Sequence, residues 1–135
     1  MFELKKVYLH LWIDLHVKLM YTEWLREPAA EEYREGCELF VMLVREHGVE
    51  CWIAESRKLV GMPIHVQSPV LLQLAPSLVG SSLKKLARII DTDLQSIAMF
   101  EDISNGLKES HQSTIELEQF ISFEDAADWI GMIRG

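Results

Sequence analysis

The chain has 135 residues, 49% of them hydrophobic and 25% charged, and a formal net charge of −8. That length supports a single domain over 1–135, with a core that needs neither metal nor disulfide staples. The acidic balance excludes a nucleic-acid or anionic-membrane footprint, because the basic runs Lys84-Lys85 with Arg88 and Arg57-Lys58 are too short to hold phosphates.

Residues 7–14 and 17–25 alternate with period two, which places Val7, Leu9, Leu11 and Ile13 on one face and Val17, Leu19, Tyr21 and Leu25 on another. Bringing both sets to one side of a hairpin requires Ile13 opposite Val17, hence a three-residue loop Asp14-Leu15-His16. The outer face then carries Tyr8, His10, Trp12, Met20, Thr22 and Trp24. It is too aromatic to serve water alone and is expected to be covered by protein or to contact a partner or ligand.

Glu27-Pro28 ends the second strand. Residues 29–47 form an amphipathic helix with Tyr33, Cys37, Phe40, Val41 and Val44 as its core stripe and Gly48 as its left-handed cap. Leu39, Met42 and Leu43 widen that stripe beyond what one sheet needs, so a second copy of the chain is the expected cover. Residues 49–54 form a buried strand, and 55–67 a loop. Ser68 caps a short helix over 69–75 that Pro76 stops. A strand over 86–90 follows, then a helix over 94–106 with Leu94, Ile97, Phe100 and Ile103 on one side and Gly106 as its stop. Residues 114–120 form the last strand. Residues 122–133 form the last helix, capped by Ser122, with Ala126, Trp129, Ile130 and Ile133 inward. The order β-β-α-β-α-β-α-β-α predicts an α/β fold whose mixed sheet opens with an antiparallel hairpin and continues with parallel strands.

The chemistry-bearing patterns are mostly negative. The 7 glycines form neither G-x-G-x-x-G nor G-x-x-x-x-G-K-[ST], and His10, His16, His47, His65 and His111 lack metal-ligand spacing. Cys37 and Cys51 read as core thiols. Ser56 has no G-x-S-x-G context. Glu55-Ser56-Arg57-Lys58 is the strongest polar candidate, since it follows a central strand at the end where α/β sheets present ligands. Its bland alternative is a loop in which Glu55 pairs with Arg57 or Lys58. No apolar run reaches the length of a membrane span, and MFELKKVYLHLWID has no signal-peptide pattern, so a cytoplasmic protein is expected.

The segments E-E-Y-R-E-G, V-E-C-W-I-A-E-S-R-K-L and F-I-S-F-E-D-A-A-D-W-I resemble the STAS/SEC14-like domain family, small bacterial relatives of sporulation anti-sigma-factor antagonists, and the similarity covers residues 7–131. The resemblance implies a STAS-like mixed β-sheet with helices packed mainly on one face, and no enzymatic activity. Better-understood relatives are switches phosphorylated on a Ser in D-S-[ST]-G at a helix start. Residues 60–72 read VGMPIHVQSPVLL here, with Ser68 as the sole hydroxyl, so phosphorylation is not carried over onto Ser68.

The leading expectation is a regulatory or protein-interaction domain without cofactor, forming homodimers through Leu39, Met42 and Leu43. Its contact surfaces would be Tyr8, His10, Trp12, Met20 and Trp24, and Glu55, Ser56, Arg57 and Lys58. The alternative is a carrier or sensor of a small apolar or amphipathic ligand. The third, an enzyme using Ser56 or Glu55 with Arg57, is the least expected.

Overall fold

A computed structural model describes residues 1–131. Its strands are β1 (Phe2–Lys5), β2 (Leu9–Asp14), β3 (Leu19–Trp24), β4 (Cys51–Glu55), β5 (Lys85–Ile89) and β6 (Glu116–Phe120). Its helices are α1 (Ala30–His47), α2 (Ile64–Leu74), α3 (Leu94–His111) and α4 (Phe123–Ile130). The sheet order is β1-β2-β3-β4-β5-β6, antiparallel through β3 and parallel thereafter. This is the expected mixed α/β architecture, with β1 as an additional edge strand. Each parallel crossover steps to the next strand in the same direction, and crossovers of one hand then lay their helices on one face. Accordingly α1, α2 and α3 pack against Trp52 and Leu86 on one side of the sheet. The other side is covered by α4, where Ala126 closes onto Leu19, Ile53, Ala87 and Ile89.

The hairpin register departs from expectation by one residue in parity. Ile13 lies opposite Met20 and Leu11 opposite Thr22, and residues 15–18 form the loop, with Lys18 at φ 59° in the left-handed region. Met20, Thr22 and Trp24 therefore share the helix-covered face with Leu9, Leu11 and Ile13, while Leu19 and Tyr21 face α4. The alternation rule assumes one wet face, and β3 has none: both its apolar sets are covered. Val17 is left exposed in the loop.

Helix α1 starts from Ala29, whose backbone N–H donates to Glu32 Oε1 at 2.8 Å. Arg26 grips the same carboxylate with two bonds, of 2.8 and 2.9 Å. Gly48 ends the helix at φ 61°, as expected. Helix α2 starts at Ile64 instead of 69 and holds Pro69 internally, so Ser68 is not its cap. Gln67 is fully buried in α2, donates through Nε2 to the Met62 carbonyl at 2.9 Å, and leaves Oε1 without a partner among the described residues. Helix α3 runs past Gly106 to His111 and is capped by Gln112 at φ 52°, with Leu94 exposed and not inward. The Ser122 hydroxyl caps α4 as expected, accepting from Asp125 N at 3.2 Å, and Gly131 closes it. The further turn expected through Ile133 lies outside the described residues.

Candidate binding cavity

Three helices laid over one sheet face leave a cavity where their layer meets β4 and β5. One lobe, of about 80 Å³, is walled by Tyr33 and Cys37 of α1, Trp52 of β4, Arg88 of β5 and Phe100 of α3. A second lobe, also about 80 Å³, is lined by Leu71 and Leu74 of α2 with Ile103, Leu107, Ile115 and Leu117. The lobes adjoin, since Cys37, Phe40, Trp52, Leu71, Leu86 and Phe100 border both. The second lobe has an apolar lining, and cavities of that kind stay dry and admit apolar guests.

Arg88 is the exception, in the lining of the first lobe. It occupies the middle of β5 on the helix-covered face and is 5% exposed. Its Nη1 donates to Gln119 Oε1 at 2.8 Å and, at 3.5 Å, to the Ser96 carbonyl. Its Nη2 donates to Ser96 Oγ at 2.7 Å. Gln119 is itself fixed by donating through Nε2 to the Ile97 carbonyl at 3.2 Å. The guanidinium lies 5.0 Å from the Phe100 ring centroid, a cation–π distance. Among the described residues no carboxylate comes within ion-pair distance of it. Burial pushes its pKa down to about 10, opposed by Tyr33 and by Asp93, the cap of α3, acting through space. At neutral pH the group is still a cation.

Tyr33 and Cys37 lie one turn apart on α1 and both border the first lobe. Burial raises both, the thiol to about 12 and the phenol well above its ordinary value. Both are therefore neutral walls at physiological pH, and Trp52 completes the polar trim by donating from Nε1 to Thr22 Oγ1 at 3.0 Å.

The turn after β4 takes the bland alternative. Glu55 is 6% exposed and accepts from Arg57 Nε at 3.0 Å, from Arg57 Nη2 at 2.7 Å and from the Arg57 backbone N–H at 3.0 Å. Arg57 is thus held by its own strand end, Lys58 points to solvent, and Ser56 donates weakly to the Ala54 carbonyl at 3.5 Å. The strand order also lacks the reversal that opens a crevice at the carboxyl ends of α/β strands. Ser56 nevertheless borders both the Arg88 lobe and a surface depression of about 10 Å³.

The aromatic surface expected on the hairpin does not form, because the register divides its members between two covered faces. Met20 is fully buried and Trp24 is 4% exposed in the helix-covered core, with Tyr8 stacked beside Trp24 at 6.2 Å. Trp12 lies on the other face, stacked on Tyr21 at 5.5 Å, and His10 Nε2 meets Glu3 Oε2 at 2.7 Å. The helix face assigned to a second copy is also mostly inward: Leu43 is 2% exposed and Leu39 packs on the core, which leaves Met42 outside. Ser68 sits half-buried in the second turn of α2.

Arg88 was the residue to single out. The run Leu86-Ala87-Arg88-Ile89-Ile90 places a cation in the centre of an apolar strand, and a buried charge is more informative than an apolar neighbour. Among the described residues no group of three His, Cys, Asp or Glu is placed to hold a metal ion, and no helix is long and apolar enough to cross a membrane. Comparison of the chain with protein-family models, with curated proteins and with solved structures finds no match.

Proposed function

We propose that this chain is a non-catalytic binding domain that carries or senses a small amphipathic molecule in the cavity beneath α1, α2 and α3. The observation that carries the reading is the two-lobed apolar cavity with a buried guanidinium in its wall. Ligand sites are typically apolar enclosures with few, well-placed polar groups, and this one has that composition in a space smaller than most, two lobes of about 80 Å³ each. Non-catalytic action is supported by the state of the polar candidates, since Arg57 and Glu55 neutralise each other and Ser56 is bonded to its own strand. The resemblance to STAS/SEC14-like domains belongs to the same proposal, and the one-sided layer of α1, α2 and α3 supports it.

The test is native mass spectrometry of protein purified from its own host, followed by identification of whatever denaturation releases. One small molecule per chain is the expected result. Protein without any adduct, and without a thermal shift across a panel of ring-sized apolar compounds, would overturn the reading.

A further inference from the structure

We propose that the cavity takes a small monocarboxylate, its carboxylate bound side-on by Arg88 and its apolar body lying between Phe40, Trp52 and Phe100. This rests on the binding-domain reading and adds the charge and size of the occupant.

The charge follows from how Arg88 is held. Its hydrogen bonds use Nη1 and one donor of Nη2, all directed to Ser96 and Gln119 at the tip of the fork. None of these bonds uses the Nε–H or the second Nη2–H, which form the side edge of the guanidinium. Those two parallel donors match the two oxygens of a carboxylate, the bidentate geometry that distinguishes Arg from Lys. Phe100 beneath the guanidinium and Gln119 at its tip fix the plane, so the edge is set before a ligand arrives. Removing a cation from water without a counter-charge is costly, and an incoming anion offsets that cost where a neutral or cationic guest cannot. Tyr33 and Cys37 hold their protons and so present no competing negative charge.

The size follows from the lobes. Two adjoining spaces of about 80 Å³ each are comparable with the roughly 150 Å³ apolar cavity that holds benzene. A ring or a short branched chain fits; a long acyl chain does not. One guanidinium with one free edge also suits a monoanion better than a phosphate, which requires more donors. The net charge of −8 supplies no long-range attraction for an anion, so recognition falls on Arg88 itself.

The experiment titrates isotope-labelled protein with sodium benzoate, benzamide and benzylammonium chloride, following the Arg88 Nε–H and the Phe100 amide by NMR. Benzoate is expected to bind roughly tenfold or more tightly than benzamide, with the Arg88 Nε–H moving at saturation, and benzylammonium to leave both signals unmoved. In Arg88→Met the preference for benzoate should vanish while benzamide affinity holds. Equal affinity of benzoate and benzamide for the unmodified protein overturns the monocarboxylate assignment and leaves the cavity reading standing. No binding by either probe overturns both. Should Arg88→Met not fold, Arg88→Lys keeps the charge and removes the fork; an undiminished benzoate preference in it overturns the side-on assignment.

Discussion

Gly36 lies directly against the Trp24 indole: a Cβ built on Gly36 would stand 2.5 Å from Cη2 of Trp24. The indole has no room to retreat, since it is stacked on Tyr33 at 5.5 Å and meets Phe40 edge-on at 5.6 Å. Gly36→Ala gains up to about 1 kcal/mol of helix propensity. Overpacking a rigid aromatic costs typically about 1–3 kcal/mol. The variant is therefore expected to be less stable, by roughly 1–2 kcal/mol, read as a lowered urea midpoint at unchanged slope.

The same contact shows where the sequence was legible and where it was not. Caps and periodicity in α1 and α4 are local signals, and Gly48 and Ser122 sit where those signals place them. Helix packing mainly on one face also follows from strand order alone. Register is not local. The left-handed Lys18 lengthens the hairpin loop, and a change of one in parity sends Trp24 from the outer face into the core beside Gly36. Gly36 itself could have warned of this, because a glycine inside a long amphipathic helix marks a close approach. The cavity was illegible for a different reason: it is made by residues of three helices and several strands, and its decisive member looked like part of a basic run, Lys84-Lys85 with Arg88, when its neighbours Leu86 and Ile89 already marked a buried strand.

Arg88 is predicted to be a liability for the empty fold. Burial lowers its pKa to about 10, a penalty on the order of 3 kcal/mol at roughly 1.4 kcal/mol for each tenfold change in proton affinity. The unfolded chain holds this proton more tightly, so the penalty is present at every pH below about 10 and is released as pH rises beyond it. Arg88→Met removes the buried charge and leaves Ser96 and Gln119 with one acceptor unpaired each. Ligand-free Arg88→Met should therefore be as stable as the parent or up to about 2 kcal/mol more so at pH 7, by urea denaturation. A clear loss of stability would mean that the protein framework alone satisfies the guanidinium.

Glu55 and Arg57 give the opposite expectation. The carboxylate is buried while the Arg57 side chain is half exposed, so removing the arginine strands a charge with one remaining backbone donor. Arg57→Ala should cost roughly 1–3 kcal/mol, whereas the exposed neighbour change Lys58→Ala should stay within about 0.5 kcal/mol. Paired denaturation curves decide it. Equal effects would show that the ion pair is not what holds the turn.

The cavity wall makes a prediction for alkaline pH. In the unfolded chain the Cys37 thiol ionises around 9.0, whereas in the fold it keeps its proton to about 12. The unfolded state therefore binds fewer protons in that window, and stability falls as pH rises, by up to about 1.4 kcal/mol per pH unit for this one group. Tyr33, raised by the same burial, adds to the decline above its ordinary value of 10.0. Below pH 9 the contribution is fully present. Urea midpoints between pH 8 and pH 11 should drop, and Cys37→Ala should flatten the first part of that slope. The same protonation makes Cys37 a poor nucleophile. With a disulfide reagent at pH 8, the half-buried Cys51 should react first and Cys37 only as the protein unfolds. Prompt modification of both thiols in the folded protein would show that α1 and α2 part readily enough to expose the cavity.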